Sequence, residues 1–470
     1  MARLYPFRAL RYDTSRVDMA DVVTQPYDKI SPAMQERYYA KSPYNLIRVV
    51  LGKREPADCE GADCYTRAAE AFASWRKEGI LREEPELAIY GYAQTYTVPG
   101  TGDAAGSEPE IQDRRGFIAL GQLYDYAEHV VYRHEQTFPK HKSDRLALFK
   151  ALRAYPEQIY MLYSDPGFTA EHLIFDSPTG EPRPADLEIL DEYGVHHRVW
   201  KLADPTLIAK VLFAMNDKKL IIADGHHRYE TSVAYMNERA AELGISDAPP
   251  AVPSGDSTPE AAPETLLPQP SFPEAAMMMT FVNMDAPGIT ILPTHRVVFG
   301  LPSFNGRLFA QQAEQLFTVE EIPHTPDGHY PGAPNLLKRL HDTPGVAFIA
   351  ATRDGDFLLT PKPEPVSKSL EILSPRQAAL DVVQLHKLVL DDLLGLNEDA
   401  VRTGNHVRYL REATEALQQV GCGNADIAFL IKPVSLDQMK EISLNLEVMP
   451  QKSTDFYPKL LSGLAMYALD

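Results

Sequence analysis

The sequence contains little cysteine and no long hydrophobic run. Its three cysteines, Cys59, Cys64 and Cys422, are odd in number and lack zinc-binding spacing. This argues against both a disulfide framework and a structural zinc site. No apolar run approaches the length that spans a bilayer, and the first residues are polar where a signal peptide would be apolar. We therefore expect a cytoplasmic protein without a membrane partner.

Positive charge is also scarce. Lysine and arginine total 46 against 65 aspartates and glutamates, which gives a formal net charge of −19 at pH 7. A chain with this charge repels a phosphate backbone, and no run of Lys and Arg relieves the repulsion locally. The composition therefore predicts no nucleic-acid partner.

Four common catalytic motifs are missing from the sequence. It contains no P-loop (Gly-x-x-x-x-Gly-Lys-Ser/Thr), no Rossmann fingerprint (Gly-x-Gly-x-x-Gly), no nucleophile elbow (Gly-x-Ser-x-Gly) and no zincin helix (His-Glu-x-x-His). Each motif serves a defined chemistry through its backbone geometry or its ligand spacing. The standard kinase, dehydrogenase, serine hydrolase and zinc protease classes therefore have no support from the sequence.

The length and the distribution of proline predict two lobes. A chain of 470 residues exceeds the roughly 250 to 300 residues that one hydrophobic core usually serves. Eight prolines fall between residues 249 and 273, among Ser, Thr, Ala and Glu. Such a composition buries little apolar surface. We interpret residues 247–274 as a mobile insertion or linker between an N-terminal lobe, 1–246, and a C-terminal lobe, 275–470.

Hydrophobic periodicity predicts an α+β protein. Hydrophobic residues make up 44% of the chain, enough for a sizeable core. Periodicity near 3.6 residues predicts helices at 65–81, 144–153, 228–243, 304–317 and 380–394. Apolar and β-branched runs predict strands at 219–223, 276–284, 289–292, 345–350 and 428–431, and a strand pair from 87–98 and 115–123. Helices and strands do not alternate steadily, which favours mixed sheets with packed helices over a doubly wound sheet.

The segment Asp224-Gly-His-His-Arg228 is the strongest functional signal. Residues 218–223 have the pattern of a buried strand, a glycine turn follows, and His226 begins a helix. The unpaired backbone N–H groups at a helix start and the positive end of its dipole form a site for an anion such as phosphate. His227 and Arg228 would add cationic or hydrogen-bonding side chains there. Asp224 can cap the helix or hold a metal bound to the phosphate.

Two other interpretations of this turn are open. In the first, Asp224 serves only as the N-cap, with the histidines on a surface turn. However, two histidines and an arginine in a first helical turn oppose the dipole's preference for acidic residues, which favours a functional role. His226 and His227 can instead ligate a metal, although sequence neighbours seldom both face one ion.

The segment Ile221-Ile-Ala-Asp-Gly-His-His-Arg-Tyr-Glu-Thr-Ser232 resembles the hallmark of a family of bacteria and archaea known as domain of unknown function 1015. Further segments fit the same family: 6–10, 25–28, 133–137, 142–145, 293–296 and 449–459. The resemblance spans essentially the whole chain. It implies family membership.

The string from Asp224 to Arg228 is also similar to the motif of the archaeal ADP-dependent free serine kinase, in the ParB and sulfiredoxin superfamily. The resemblance implies a ParB/sulfiredoxin-like element around Asp224, with the turn in contact with nucleotide phosphates. It also implies ADP or ATP with Mg²⁺ as cofactors, with Asp224 as a candidate for holding the magnesium. The catalytic glutamate of that kinase has no aligned counterpart here. The cysteine of sulfiredoxin is missing beside the turn, which disfavours sulfinic acid repair.

The ionisable stretch from residue 133 to 145 contains a candidate general base. His134 and Glu135 form a pair in which the carboxylate can fix the imidazole tautomer or accept a hydroxyl proton itself. A solvated loop ahead of a helix is an equally good interpretation.

Two further segments carry candidate binding residues. His295 and Arg296 follow a predicted strand, and strand ends often contribute to ligand sites. A satisfied core histidine is the alternative. Lys452, Ser453 and Thr454 can bind a phosphate or a carboxylate, although the neighbouring prolines also suit a rigid loop.

Two carboxylates have weaker support. Asp28 can be an acid–base, substrate-binding or metal residue, but a turn after proline explains it more simply. Glu447 lies near the C-terminal loop.

Taken together, these patterns and resemblances predict a phosphoryl-transfer enzyme that acts on a small metabolite with a nucleotide. By resemblance it is a serine kinase or a phosphoserine-handling enzyme. The alternative is a non-catalytic regulatory protein that binds a nucleotide or metabolite. Glu135 is the expected general base and Asp224 the second choice, with His134 and His226 as further catalytic candidates. We expect Glu135 and the turn to line one cleft.

Overall fold

The chain forms two units, and it leaves the first unit for the second twice and returns each time. The computed structural model describes residues 1–101, 108–137, 139–176, 183–245, 267–323, 332–402 and 404–470. Unit 1 comprises residues 1–133, 137–290 and 458–470, and unit 2 comprises 134–136 and 291–457. Both units combine helices with sheets of several strands. The predicted α+β class with mixed sheets is therefore confirmed.

A large mixed sheet organises unit 1. Among the described residues it has nine strands, in the spatial order Val131–Tyr132, Leu220–Asp224, Ile159–Tyr163, Ala276–Asn283, Ile111–Gln122, Ile89–Thr97, His196–Leu202 and Leu187–Leu190, with Leu4–Tyr5 also paired to Ile111–Gln122. Most neighbours are antiparallel. The strand Leu220–Asp224 runs parallel to Val131–Tyr132, and Ala276–Asn283 runs parallel to Ile159–Tyr163. All eight residues of Ala276–Asn283 are buried, as expected for a strand covered on both faces.

Helices pack around this sheet and continue its core. They are Met19–Val22, Pro32–Lys41, Ile47–Val50, Cys64–Lys77, Pro139–Leu152, Thr169–Phe175, Pro205–Met215 and His226–Leu243, with short turns of 3-10 helix at Tyr27–Lys29, Tyr126–Glu128 and Pro273–Ala275. Two small strand pairs complete the unit, Leu10–Tyr12 with Leu81–Glu83, and Ala154–Tyr155 with Tyr467–Ala468. Local sequence sets such helices. Asp63 caps Cys64–Lys77 by accepting from two backbone amides, and Phe72 and Trp75 lie on its buried face.

Unit 2 contains a six-stranded antiparallel sheet, counted over the described residues. Its order is Phe317–Ile322, Gly355–Pro361, Phe348–Thr352, Ile427–Leu430, His295–Val298 and Val407–Leu410. Further short strands are Thr290–Leu292 and Asp455–Tyr457. The helices are Gly306–Ala313, Ala333–Asp342, Pro363–Ser369, Pro375–Ala378, Asp381–Gln384, Glu398–Arg402, Ala413–Gly421 and Leu436–Leu444, with a π-helix at Leu385–Leu393.

The observed elements follow the predicted ones closely where the periodicity is local. The predicted helix 228–243 is His226–Leu243, and the predicted strand 276–284 is Ala276–Asn283. The predicted strands 87–98 and 115–123 form the antiparallel pair Ile89–Thr97 and Ile111–Gln122. The predicted helix 380–394 is instead two segments, because a π-helix continues from Asp381–Gln384.

The division into units differs from the predicted boundary at residues 274 and 275. Strand Ala276–Asn283 pairs with two unit 1 strands, so unit 1 extends to Thr290 and also takes up residues 458–470. Residues 246–266 of the predicted linker region lie outside the described residues. The end of that region is packed: Glu274 is 1% exposed and its carboxylate pairs with two arginines. A buried, paired carboxylate does not fit a solvated linker, so Glu274 belongs to the folded part of unit 1.

Within the described ranges, no helix has both the length and the hydropathy needed to cross a membrane.

Candidate functional site

The Asp224 turn joins a buried strand to a long helix, as predicted. Strand Leu220–Asp224 ends at the turn, and Gly225 adopts φ +97°, a left-handed conformation that favours glycine. The first helical hydrogen bond runs from the Tyr229 amide to the Gly225 carbonyl, at 2.9 Å. The N-cap residue is Gly225, which has no side chain that could cap the helix start. Backbone amides at such a helix start are groups that can bind an anion.

Asp224 is held between two cations rather than serving as a cap. Lys459 Nζ donates to Asp224 Oδ1 at 2.8 Å, and Arg228 Nη2 donates to Oδ2 at 3.0 Å. Burial alone would raise the pKa of Asp224, but the charges of Lys459 and Arg228 outweigh burial and hold the pKa well below its usual value. The N-cap position belongs to Gly225, so the interpretation of Asp224 as the N-cap is not what the structure has.

Arg228 is buried and faces two carboxylates. It is 4% exposed, and its Nη1 donates to the Gln158 carbonyl at 2.7 Å and lies 3.9 Å from Glu157 Oε1. Burial would lower the pKa of Arg228, whereas Glu157, Asp224 and Asp28 raise it above its usual value. The guanidinium is therefore fully charged. Asp28 is exposed in the turn Tyr27–Lys29 and contributes to the field around Arg228.

A buried polar network fixes the backbone of Lys459. Gln94 Nε2 donates to the Lys459 carbonyl at 2.9 Å, and Arg114 donates to the Pro458 carbonyl. Arg114 Nε also donates to Gln94 Oε1 at 3.1 Å, and its guanidinium lies 4.8 Å from the centre of the Tyr160 ring. Since Lys459 itself is only 7% exposed, its ammonium is delivered to Asp224 in a defined position.

His226 and His227 occupy the first two helical positions. His226 is 7% exposed and His227 is partly exposed. The Thr231 hydroxyl donates to the His227 carbonyl at 2.7 Å, and the Ser232 hydroxyl donates to the Arg228 carbonyl at 2.9 Å. Both hydroxyls therefore donate to carbonyls one turn earlier in the helix, and the backbone conformation of the helix start depends on Gly225.

The turn does not fit a directly bound magnesium ion. Mg²⁺ takes oxygen ligands in near-ideal octahedral geometry, usually one or two carboxylates. Each carboxylate oxygen of Asp224 accepts a hydrogen bond from a cation, and the positive charges of Lys459 and Arg228 oppose the approach of a divalent cation. Across the part of the chain that the structure describes, no group of three or more His, Cys, Asp or Glu side chains has the arrangement of a metal site.

The predicted residues His295 and Arg296 are deeply buried in unit 2. Arg296 donates from Nη2 to the Lys452 carbonyl at 3.2 Å, from Nη1 to the Thr294 carbonyl, and from Nε to His386 Nε2 at 3.3 Å. Burial lowers the pKa of Arg296 to about 10 and that of His295 to about 4. His295 Nδ1 accepts from the Ile431 amide at 3.3 Å, which is the satisfied core histidine named above as the alternative.

The predicted residues of the His134 and Lys452 segments also meet in unit 2. His134 Nε2 and Thr454 Oγ1 are 2.8 Å apart, and the Met449 amide donates to the His134 carbonyl at 2.8 Å. Glu135 forms an isolated parallel bridge with Met449. Burial lowers the pKa of Arg296, whereas the negative charge of the Glu135 carboxylate raises it.

The hydroxyls and charges of the C-terminal loop are mostly engaged within unit 2. The Ser453 hydroxyl donates to the Pro450 carbonyl, while Lys452 is exposed with φ +56°. Glu447 accepts from Arg376 at 2.8 Å and from the Ser374 hydroxyl at 2.9 Å. Glu447 is therefore a surface ion-pair partner.

A cavity of unit 1 lies beside later turns of helix His226–Leu243. It measures about 520 Å³ and is lined by apolar residues such as Val233 and Met236 together with Gln122 and Asn237. None of the residues from Asp224 to Arg228 lines it, so the turn is not part of this cavity.

A family model matches residues 4–383 of the chain, which include the Asp224 turn. Its description is "Protein of unknown function (DUF1015)". The chain belongs to the DUF1015 family. The predicted membership is thus confirmed, while Lys459 and the segment 452–454 lie beyond the matched residues. No curated protein matches the chain.

Solved structures similar to this DUF1015 chain have low identity. A free serine kinase in complex with AMP is 13% identical, with a TM-score of 0.31, and the alignment covers 70% of this chain and 83% of that one. SbnI with a C-terminal truncation from Staphylococcus aureus is 12% identical, with a TM-score of 0.34, covering 73% and 85%. A conserved hypothetical protein from Pyrococcus furiosus is 10% identical, with a TM-score of 0.31, covering 70% and 89%. At these values the similarities assign no activity to this chain.

The candidate residues of this DUF1015 chain fall into two groups. Asp28, Asp224, His226, His227 and Arg228 belong to unit 1, and the group of His134, Glu135, His295, Arg296, Lys452, Ser453 and Thr454 belongs to unit 2. The expectation that Glu135 and the turn line one cleft stays a prediction.

Sequence reasoning missed two residues of the turn's ionic network in this DUF1015 chain. Lys459 was noted only as the end of a family segment, although it pairs with Asp224 across 235 residues. Glu157 has no motif around it, yet it is 2% exposed and accepts from the Tyr27 amide at 3.1 Å. No local pattern distinguishes a buried carboxylate of this kind from an ordinary surface glutamate.

Proposed function

We propose that the Asp224 turn binds a phosphoryl group and that the protein is a phosphoryl-transfer enzyme acting on a small metabolite. The observation that carries the proposal is the glycine-capped start of helix His226–Leu243, with the cations Arg228 and Lys459 fixed beside it. Phosphoryl transfer depends mainly on positioning and on charge stabilisation, which a helix start with fixed cations supplies without a P-loop.

The roles proposed for the turn residues follow from their contacts. His226 and His227, at the first two helical positions, and the first-turn amides contact the phosphoryl group. Arg228 and Lys459 act as positioning residues, because their donors are already directed to Asp224 and, for Arg228, to the Gln158 carbonyl. Their positive charge still lowers the energy of an anion at the helix start.

Asp224 is poorly suited to accept the proton of the attacking hydroxyl. A general base works best with a pKa near the operating pH. The two cations hold the pKa of Asp224 far below that range. Glu135 therefore remains our proposed general base, and Glu135→Gln tests it: product formation should fall at least a hundredfold while nucleotide affinity stays within twofold.

The motif resemblance supports ADP or ATP as the phosphoryl donor and serine or phosphoserine as the metabolite. Magnesium would enter as the nucleotide complex, since both Asp224 oxygens are occupied. A reaction mixture with serine, either nucleotide and magnesium, analysed for phosphoserine by ³¹P NMR, tests catalysis. Absence of any phosphorylated product across a panel of amino acids and sugars would refute the enzymatic proposal.

A non-catalytic nucleotide- or metabolite-binding regulator is the second candidate. It is favoured by the lowered pKa of Asp224, because a carboxylate held in its ionised form by Lys459 and Arg228 is a poor general base. Such a protein would be stabilised by its ligand in proportion to the logarithm of ligand concentration and would show no turnover.

The phosphate contact itself is tested with His227→Ala. We expect ADP affinity, measured by isothermal titration calorimetry, to fall about tenfold or more, because a charge-assisted hydrogen bond contributes roughly 1.5 to 3 kcal/mol. His172→Ala is a matched control, since His172 is an exposed unit 1 histidine that pairs with Asp176. Equal ADP affinity in both variants would show that the turn does not bind the phosphate. Arg228→Ala is less informative, because it removes a buried cation that faces both Glu157 and Asp224 and therefore also destabilises the fold.

A further inference from the structure

Two arginines and an alanine form a row across three adjacent strands of unit 1. Arg115, Ala93 and Arg198 are directly paired in the antiparallel register, so their side chains share one face of the sheet. Gly91 lies two residues away on the middle strand, and its lack of a side chain lets neighbouring side chains pack close to the strand. A Cβ at position 91 would lie 3.0 Å from Ile174 Cγ2 and 3.5 Å from the Trp200 ring.

One carboxylate holds the two guanidiniums in place. Asp113 Oδ2 accepts from Arg115 Nε at 2.8 Å, and Oδ1 accepts from Arg198 Nη2 at 2.7 Å. Arg198 Nη2 also donates to the Thr95 hydroxyl at 3.0 Å. The Nε of Arg198 is buried without a hydrogen-bond partner among the described residues. A buried donor without an acceptor is costly, and a bound oxyanion would supply the acceptor.

Aromatic rings form the walls of the space between these guanidiniums. The Arg198 guanidinium lies 5.6 Å from the centre of the Trp200 ring, and that of Arg115 lies 5.6 Å from the centre of the Phe175 ring. The two rings are 5.4 Å apart in an edge-to-face arrangement. The cavity measures about 90 Å³, and Arg183 also lines it.

The residues that line this cleft carry positive charge and no carboxylate. The lining includes three guanidiniums, of Arg115, Arg183 and Arg198. Next to the lining, Asp113 pairs with Arg115 and Arg198, and Glu188, which is opposite Arg198 on the neighbouring strand, pairs with His196. A phosphate anion would bring negative charge to this lining, and planar guanidiniums match the geometry of phosphate oxygens.

We propose that the cleft of Arg115, Arg183, Arg198, Phe175 and Trp200 is a binding site for a phosphate dianion, free or as a small monoester. Its volume is well below the roughly 300 to 1,000 Å³ of sites that enclose drug-sized ligands or cofactors, and several times the roughly 10 to 15 Å³ that holds one water molecule. The phosphoryl group therefore enters, and any remaining part of the ligand stays in solvent against the rings. The site does not depend on the function proposed for the Asp224 turn.

Tryptophan fluorescence gives a local test. The chain has two tryptophans, so Trp75→Phe leaves Trp200, in the cleft, as the sole reporter. Titration with inorganic phosphate at constant ionic strength should change this fluorescence saturably, whereas acetate should bind at least tenfold more weakly because it carries one charge. Tighter binding of phenyl phosphate than of inorganic phosphate would identify an ester as the ligand, and equal binding would identify the free ion. Either result supports the site.

Arginine variants decide whether the cleft is responsible. In the Trp75→Phe background, Arg115→Gln should weaken phosphate binding about tenfold, as expected for one charge-assisted contact. Arg82→Gln is the matched control, because Arg82 is exposed, pairs with Asp13 and carries the same charge. A non-saturable signal, equal acetate affinity, or equal phosphate affinity in the two arginine variants would overturn the proposal. If Trp75→Phe does not fold, the same arginine comparison in the unmodified tryptophan background decides the matter.

Discussion

Replacing Lys459 by methionine should destabilise unit 1, because it removes one of the two cations that hold the Asp224 carboxylate. Breaking a buried pair from one side costs about 3 to 5 kcal/mol. Asp224 keeps Arg228 at 3.0 Å, and its side chain is 19% exposed, so solvent and the remaining cation offset part of this loss. We therefore expect a loss of about 2 to 3 kcal/mol in the free energy of unfolding at pH 7.

A double-mutant cycle isolates the pair from other effects of the substitution. Asp224→Asn alone leaves Lys459 buried without its carboxylate, while the double variant removes both charges together. The double variant should therefore be about 1 to 2 kcal/mol more stable than the sum of the single losses predicts. Urea denaturation followed by tryptophan fluorescence reports on unit 1, since Trp75 and Trp200 both belong to it.

The pH dependence provides a second check on the same pair. The pKa of Asp224 is lower in the folded protein than in the unfolded chain, so folding favours its ionised form. The contribution of the pair is therefore complete at neutral pH and is lost as the pH falls below about 4. The difference between the wild-type protein and Lys459→Met should shrink at acid pH. Additive losses within about 0.5 kcal/mol at pH 7 would refute the reasoning.

Three other perturbations have defined outcomes. Deleting residues 248–265 should leave the melting temperature in calorimetry nearly unchanged. Glu274→Gln should lower it by several degrees, because that carboxylate is buried between two arginines. Equal effects of the two changes would contradict the assignment of residues 248–265 to a linker. Gly225→Ala should lower the free energy of unfolding by about 1 to 2 kcal/mol and weaken ADP binding, since alanine is strained at φ +97° and its Cβ would lie 3.0 Å from the Arg228 guanidinium. Unchanged stability and ADP affinity would contradict this prediction. Burial raises the pKa of Asp381 to about 6, so its ionisation opposes folding as the pH rises through 6. Asp381→Asn should therefore stabilise unit 2 by about 2 kcal/mol at pH 7.5 and by less at pH 5, and an equal gain at both would exclude this cause.

Local patterns predicted the strand, the turn and the helix at Asp224 because the determinants are adjacent in sequence. An apolar run gives the strand, Gly225 permits the left-handed turn, and 3.6-residue periodicity gives the helix. The roles of the side chains depend on partners elsewhere. The Asp224 carboxylate was assigned as a cap or a metal ligand because Lys459 is 235 residues away and no periodicity connects the two.

The position of Glu135 in unit 2 is another feature that local sequence patterns do not predict. Only residues 134–136 leave unit 1 at that point, and they join unit 2 through the bridge between Glu135 and Met449. Composition and proline content identify long linkers, but a three-residue excursion leaves no such mark. The boundary near residue 275 was misplaced for a related reason, since nothing local indicates that Ala276–Asn283 completes a sheet formed by earlier strands.

The membership of residues 458–470 in unit 1 has a consequence for biosynthesis. During translation, residues 1–133 and 137–290 of unit 1 leave the ribosome before residues 291–457 of unit 2, but the ammonium that balances Asp224 is made only after them. A nascent or prematurely terminated chain therefore carries Asp224 without Lys459. The turn reaches its final charge state only after synthesis has passed residue 459, so that incomplete products lack the assembled site.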